Sequence, residues 1–231
     1  NQSRIHQFDM NDKNNCMYSP DVISFAREKG YFDGVNKDFS FANAYAPLDF
    51  GARRYCEARV WSYFNMFTAR GNEFLPYILG DTDTPMPLFV KPNRKISVQD
   101  VKNAMRDHYE GTPLDISRDF GAGPYHTPYR LSPLSFKVGD KEYFNERPIS
   151  TQQSGFVFVA QMRSTLPDAI GGVLWFGTDD ANMTVFTPVY CCTDKVPVCY
   201  SRVDGADYIT FSWNSSFWIF NWVSNMVYPR Y

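Results

Sequence analysis

The sequence predicts an α+β fold, and three observations predict it. Helix signals are confined to the stretch before residue 108 and to the tail. Strand-like runs cluster between residues 135 and 190. The two kinds of element do not alternate, which argues against a doubly wound parallel sheet and for helices packed on an antiparallel meander.

From the amino end, Ser19-Pro20-Asp21 opens a first helix, because Ser is a good N-cap and Pro suits the first turn. Gly30 ends it. A second helix is expected from Phe50 to Phe67, with Tyr55, Ala58, Trp61, Ser62 and Asn65 at helical spacing and Arg53, Arg54 and Arg59 between them. Pro76, Pro85, Pro87 and Pro92 exclude a long regular element over residues 71–92. A third helix starts at Ser97 as N-cap, takes Asp100 into its first turn and ends near His108. Residues 111–133 read as an ordered loop, in which Gly and Pro break regular structure while Phe120, Tyr125 and Tyr129 are interleaved. Gly139-Asp140 is the turn of a hairpin between residues 135–138 and 141–144. Three strands are expected over 155–160, 172–177 and 184–189. The first two are apolar on both faces, so both faces are expected to be covered. Residues 213–228 are expected to form a helix whose rings continue around it and dock into something rather than face water.

Composition narrows the function classes. The 231 residues hold 23 Lys and Arg against 25 Asp and Glu, without the basic excess of a nucleic-acid binder. No nucleic-acid partner and no membrane span are expected. Aromatic residues make up 17%, enough for large rings to fill a core or line a cavity. The cysteines, Cys16, Cys56, Cys191, Cys192 and Cys199, form no C-x-x-C pair, which argues against a zinc ribbon or a thioredoxin-type site. No cysteine has a neighbouring His, and each is expected to be a small buried residue. The chain starts at Asn1 without an initiator Met or signal peptide, and we read it as a piece of a longer protein.

Candidate chemistry is scattered. His126 lies in the constrained loop Pro124-Tyr125-His126-Thr127-Pro128, where loop packing outweighs ligand contact. Asp81-Thr82-Asp83-Thr84 lacks the Gly and distal Glu of a calcium loop, so a turn capped by Asp is favoured. Asp179-Asp180 reads first as a turn between strands and second as a metal or polar site. Asp119-Phe120-Gly121 has none of the companion motifs of a kinase. Arg147 and Arg163 flank the first long strand, where either guanidinium could hold a carboxylate bidentately. The alternative for each is an ion pair, with Glu146 or with Asp168.

Several stretches carry a resemblance. They are His108-Tyr109-Glu110-Gly111-Thr112-Pro113-Leu114-Asp115, Gly121-Ala122-Gly123-Pro124-Tyr125, residues 145–156 beginning Asn145-Glu146-Arg147-Pro148, Trp175-Phe176-Gly177-Thr178-Asp179-Asp180-Ala181-Asn182, and Val185-Phe186-Thr187-Pro188-Val189-Tyr190. In this order they resemble the C69 (formerly U34) dipeptidase family of N-terminal-nucleophile (Ntn) hydrolases. The resemblance implies part of a four-layer αββα sandwich over residues 1–231: mostly helix and loop to 107, loop and antiparallel strands over 108–192, then a loop and an aromatic-rich helix. It implies a dipeptide substrate, no metal and no cofactor, and it leaves self-association into a homo-oligomer open. It further implies a processed N-terminal Cys whose thiol attacks the peptide carbonyl while its own α-amine moves the proton. Asn1 is no cysteine, so the nucleophile is expected upstream of this chain. By resemblance to bile-salt hydrolases and penicillin acylases, Asn1 is the expected oxyanion residue and Arg147 the expected catalytic arginine. Arg163 is the expected substrate-binding residue. With the nucleophile strands outside the chain, some apolar sheet surface is expected to stay bare. Two other readings stay open, an Ntn hydrolase of acylated amides and a non-catalytic aromatic-rich binding domain.

Overall fold

The computed structural model describes residue 14 and residues 17–130, 135–201 and 206–230. They fall into two compact units. The first comprises the described residues of Asn1–Arg53 together with Pro87–Phe89. Its helices are α1 (Val22–Glu28), α2 (Phe41–Tyr45) and the single turn α3 (Phe50–Ala52). Val22, Ile23, Ala26, Phe39 and Ala44 form its core. Asp21, rather than Ser19, occupies the cap position of α1, and the Ser19 hydroxyl donates to the Asp21 carboxylate instead. Gly30 follows the helix at φ +72°, the left-handed geometry expected of a terminating glycine.

The second unit comprises Arg54–Met86 and the described residues of Val90–Tyr231. The helix expected over residues 50–67 is interrupted: a π-helical turn, Arg53–Glu57, separates α3 from α4 (Ala58–Phe67). Trp61 and Ala58 of α4 are fully buried against Tyr77 and Ile78 of α5 (Leu75–Leu79), Tyr109, Leu114 and Ile116. The Trp61 indole donates to the Gly71 carbonyl at 3.0 Å. A Cβ on Gly71 would lie 2.2 Å from the Asn65 Cα, so only glycine allows this approach. In α6 (Val98–Ala104) the Ser97 hydroxyl accepts from the Asp100 N–H, and the Asp100 carboxylate accepts from the Ser97 N–H, a closed capping box. This helix stops four residues short of His108. The chain turns away there, and Tyr109 adopts φ +65°.

The strands read from the sequence are present, except that the third begins at Thr187 rather than at residue 184. β1 (Ser135–Val138) and β2 (Lys141–Phe144) form the hairpin, with Gly139 at φ +60°. β3 (Phe156–Met162), β4 (Gly172–Thr178) and β5 (Thr187–Tyr190) form an antiparallel sheet in that order. The short helix α7 (Asp168–Gly171) connects β3 to β4. The two faces of this sheet differ, which corrects the expectation that both are covered. Val157, Val159 and Trp175 pack with Ala181 and Phe186 against Val98, Val101 and Met105 of the α6 region. On the opposite face Phe156, Phe158 and Met162 are 60%, 52% and 82% exposed. The second face of β3 is left bare among the described residues.

The tail helix, α8 (Ser216–Val227), also differs from expectation. It buries Ser216 and Ser224, while Phe217, Trp222 and Met226 stay exposed. Cys56, Cys191 and Cys192 are exposed and Cys199 is half-buried, so the expectation of buried cysteines fails for these four. Cys16 lies outside the described residues. No helix among the described residues is long and apolar enough to cross a membrane.

Candidate active site

Three loops of the second unit converge on buried charge. The first is the turn after α6. Asp107 is buried there, and its carboxylate accepts from the Ser62 hydroxyl of α4 at 2.7 Å. Burial pushes this carboxyl up to about 6, against the opposing pull of the Ser62 hydrogen bond. His108 is 1% exposed and its Nδ1 lies 3.1 Å from the Glu110 carboxylate. Tyr109 is fully buried in left-handed geometry, which is costly for an aromatic residue and persists only where the surroundings enforce it. Burial raises its phenol well above the usual range.

The second loop is Asn145-Glu146-Arg147-Pro148. Glu146 is 3% exposed and pairs with Arg54 at 2.6 Å and with Arg130. Arg130 also meets Asp119. Two largely buried cations thus share the buried Glu146 carboxylate, and the exposed Asp119 carboxylate balances the remaining charge. The Tyr109 hydroxyl donates to the Arg147 carbonyl at 2.5 Å, and Pro148 is fully buried. The Arg147 backbone is held on both sides. Its guanidinium is free of ion pairs among the described residues and lies over the Tyr55 ring, 5.8 Å from the centroid. The ion pair between Arg147 and Glu146 weighed from the sequence does not form; Arg54 and Arg130 take the carboxylate instead.

The third loop follows β4. Asp179 takes φ +71°, and its carboxylate accepts from the Ser224 hydroxyl of α8. Burial raises its carboxyl above the usual range. Asp180 is fully buried and accepts from the Tyr228 hydroxyl at 2.6 Å, the Asn182 N–H at 2.7 Å and the Ser150 hydroxyl at 3.3 Å. Ser150 also donates its backbone N–H to the Asp107 carbonyl, which ties the first and third loops through the second. Of the two readings of Asp179-Asp180, the structure favours a polar site that pins α8 to the end of β4.

The remaining sequence candidates lie apart from this cluster. The Arg163 guanidinium donates to the Ile170 and Gly171 carbonyls at the end of α7, in place of the ion pair with Asp168. His126 is exposed, with Nδ1 3.0 Å from the Ser117 carbonyl, a loop-packing role. Thr82 caps the turn at residues 81–84 by accepting from the Thr84 N–H. Among the described residues no group of three or more His, Cys, Asp and Glu side chains is arranged to hold a metal. Asn1 lies outside the described residues. Sequence reasoning missed Arg54, Arg130 and Tyr228, whose partners are 92, 16 and 48 residues away. The legible signal was an arginine on a largely apolar helix, which must find a carboxylate somewhere.

His108, Tyr109, Glu146, Arg147, Ser150, Asp179 and Asp180 of this cluster lie in the stretches that carry the resemblance, and comparison with known proteins agrees. The profile of Peptidase family C69 matches residues 1–231. A probable dipeptidase of Salmonella dublin is 33% identical over 190 residues, 82% of this chain and 38% of that protein. A probable dipeptidase of Latilactobacillus sakei is 28% identical over 181 residues, covering 77% and 32%. Dipeptidase A of Lactobacillus helveticus is 24% identical over 221 residues, covering 95% and 40%. The chain spans 32–40% of the length of these three relatives. With the match running from first residue to last, the chain belongs to peptidase family C69.

Proposed function

We propose that this chain is part of a cysteine-type dipeptidase with an Ntn-hydrolase sandwich, and that all of it contributes to one peptidase domain. The observation that carries the activity is the family match together with relatives named dipeptidases. The bare face of β3 supports the fold, because a sheet buried on one side only is the half that an αββα sandwich would complete with a second sheet. We assign the nucleophile to an N-terminal Cys in the stretch outside this chain. The thiol would attack the dipeptide carbonyl, and the α-amine of the same residue would take the proton and return it to the leaving amine. Asn1 is proposed as an oxyanion donor on the resemblance alone.

Arg147 is the proposed catalytic arginine, in preference to Arg163. Its guanidinium is uncommitted and its backbone is fixed, whereas Arg163 is spent on two carbonyls. The test is dipeptide hydrolysis by the full-length protein and by its Arg147→Ala variant. Loss of turnover on replacing the N-terminal Cys supports the mechanism. Undiminished turnover without it overturns the mechanism.

A further inference from the structure

We propose that a groove along α4 is the subsite for the carboxy-terminal residue of the dipeptide, with Arg59 receiving the α-carboxylate; this rests on the dipeptidase reading above. The groove has a volume of about 540 Å³ and is lined by Cys56 of the preceding turn, by Arg59, Val60, Tyr63 and Phe64 of α4, and by Met105 and Ile149. Its walls are apolar and aromatic. Arg59 is half-buried and makes no hydrogen bond or ion pair among the described residues, whereas Arg54 on the preceding turn is spent on Glu146.

Arg59 thus brings a cation with no paired carboxylate among the described residues to the edge of an apolar groove. Its planar fork matches a carboxylate. A lone cation beside apolar walls fits a ligand end with one negative charge and one hydrophobic side chain. That is the carboxy-terminal residue of a dipeptide rather than its ammonium end. A phosphate dianion would need more donors. The position supports the same assignment. A second cavity, about 260 Å³, shares Met105 and Ile149 with the groove and continues past Ser154. Ile149 lies two residues beyond Arg147, so the trough runs beside the loop that carries the proposed catalytic arginine.

The probes are N-acetylleucine, which has the carboxylate, and N-acetylleucinamide, which lacks it. Binding of each to the full-length protein is measured by calorimetry and NMR titration, independently of turnover. The wild type is expected to prefer the acid. Arg59→Gln should weaken acid binding by about tenfold or more and leave the amide unchanged, as expected for a lost charge-assisted contact. Val60→Trp, at a partly exposed position that tolerates bulk, should block both probes by filling the groove. Equal binding of acid and amide by the wild type, or an unchanged affinity in either variant, would overturn the proposal. Failure of the dipeptidase reading shows differently, as a wild-type protein that turns over no dipeptide.

Discussion

Arg147 is fixed by its backbone and left free at its guanidinium. The Tyr109 hydroxyl and buried Pro148 hold the main chain, and the Glu146 carboxylate next to it is already taken by Arg54 and Arg130. On the proposed dipeptidase reading, Arg147→Ala in the full-length protein should lower kcat/KM by about 2–4 kcal/mol of transition-state stabilisation, the size of a lost oxyanion donor. Arg147→Lys should recover little of it, since an ammonium lacks the planar fork. Steady-state kinetics on a dipeptide checks both. Asp107 supplies a second test. Its folded carboxyl sits at about 6, above the unfolded value near 3.9, so the folded chain binds the proton more tightly. The stability this provides is complete below about pH 4 and is lost as pH rises through about 6. Asp107→Asn should flatten urea-measured stability across that window, by about 2–3 kcal/mol. An unchanged slope would remove Asp107 from the account.

At the scale of elements, buried polar contacts join parts that hydrophobic packing leaves loosely attached. α8 buries two serines and leaves several rings exposed, yet Ser224 and the neighbouring Tyr228 reach Asp179 and Asp180 at the end of β4. Tyr228→Phe should therefore cost about 1–3 kcal/mol, because Asp180 would keep its burial and lose a donor. Chemical denaturation gives the value, and a loss below a few tenths would show that the contact is incidental. Glu146→Gln should cost more, about 3–5 kcal/mol, since it leaves Arg54 buried beside a neutral group and Arg130 with only the exposed Asp119. The turn between α4 and α5 is sensitive for a steric reason. Gly71→Ala would drive a methyl into the Asn65 backbone, and the helix pair must separate to admit it.

For the whole molecule, the unequal faces of the β3–β4–β5 sheet dominate. Val157 and Val159 are buried on one side, while Phe156, Phe158 and Met162 face outward on the other. Large contiguous apolar surface of this kind marks an interface. Prepared by itself, the 231-residue chain should bind a hydrophobic dye such as ANS strongly, and the full-length protein should not. Phe156→Ser combined with Phe158→Ser should remove most of that signal with the circular dichroism retained. Equal dye binding by the chain and the full-length protein would count against a completed sandwich.

Local chemistry in the sequence determined much of the secondary structure. The capping box of Ser97 and Asp100, the Gly139-Asp140 hairpin and the three β-rich runs depend on residues within a few positions of one another, so their signals survive without a fold. The family also was legible, because its motifs are contiguous stretches such as Asn145-Glu146-Arg147-Pro148. Tertiary structure alone decided which side of β3 is covered, where α6 stops, and who partners Glu146. Apolar residues on both faces of a strand state that burial is possible but not what provides it. The Glu146 carboxylate, adjacent to Arg147 in the sequence, gave no sign that its cations would come from positions 54 and 130. Such pairings are set by the convergence of distant segments, where a buried charge must be neutralised by whatever the packing brings within reach.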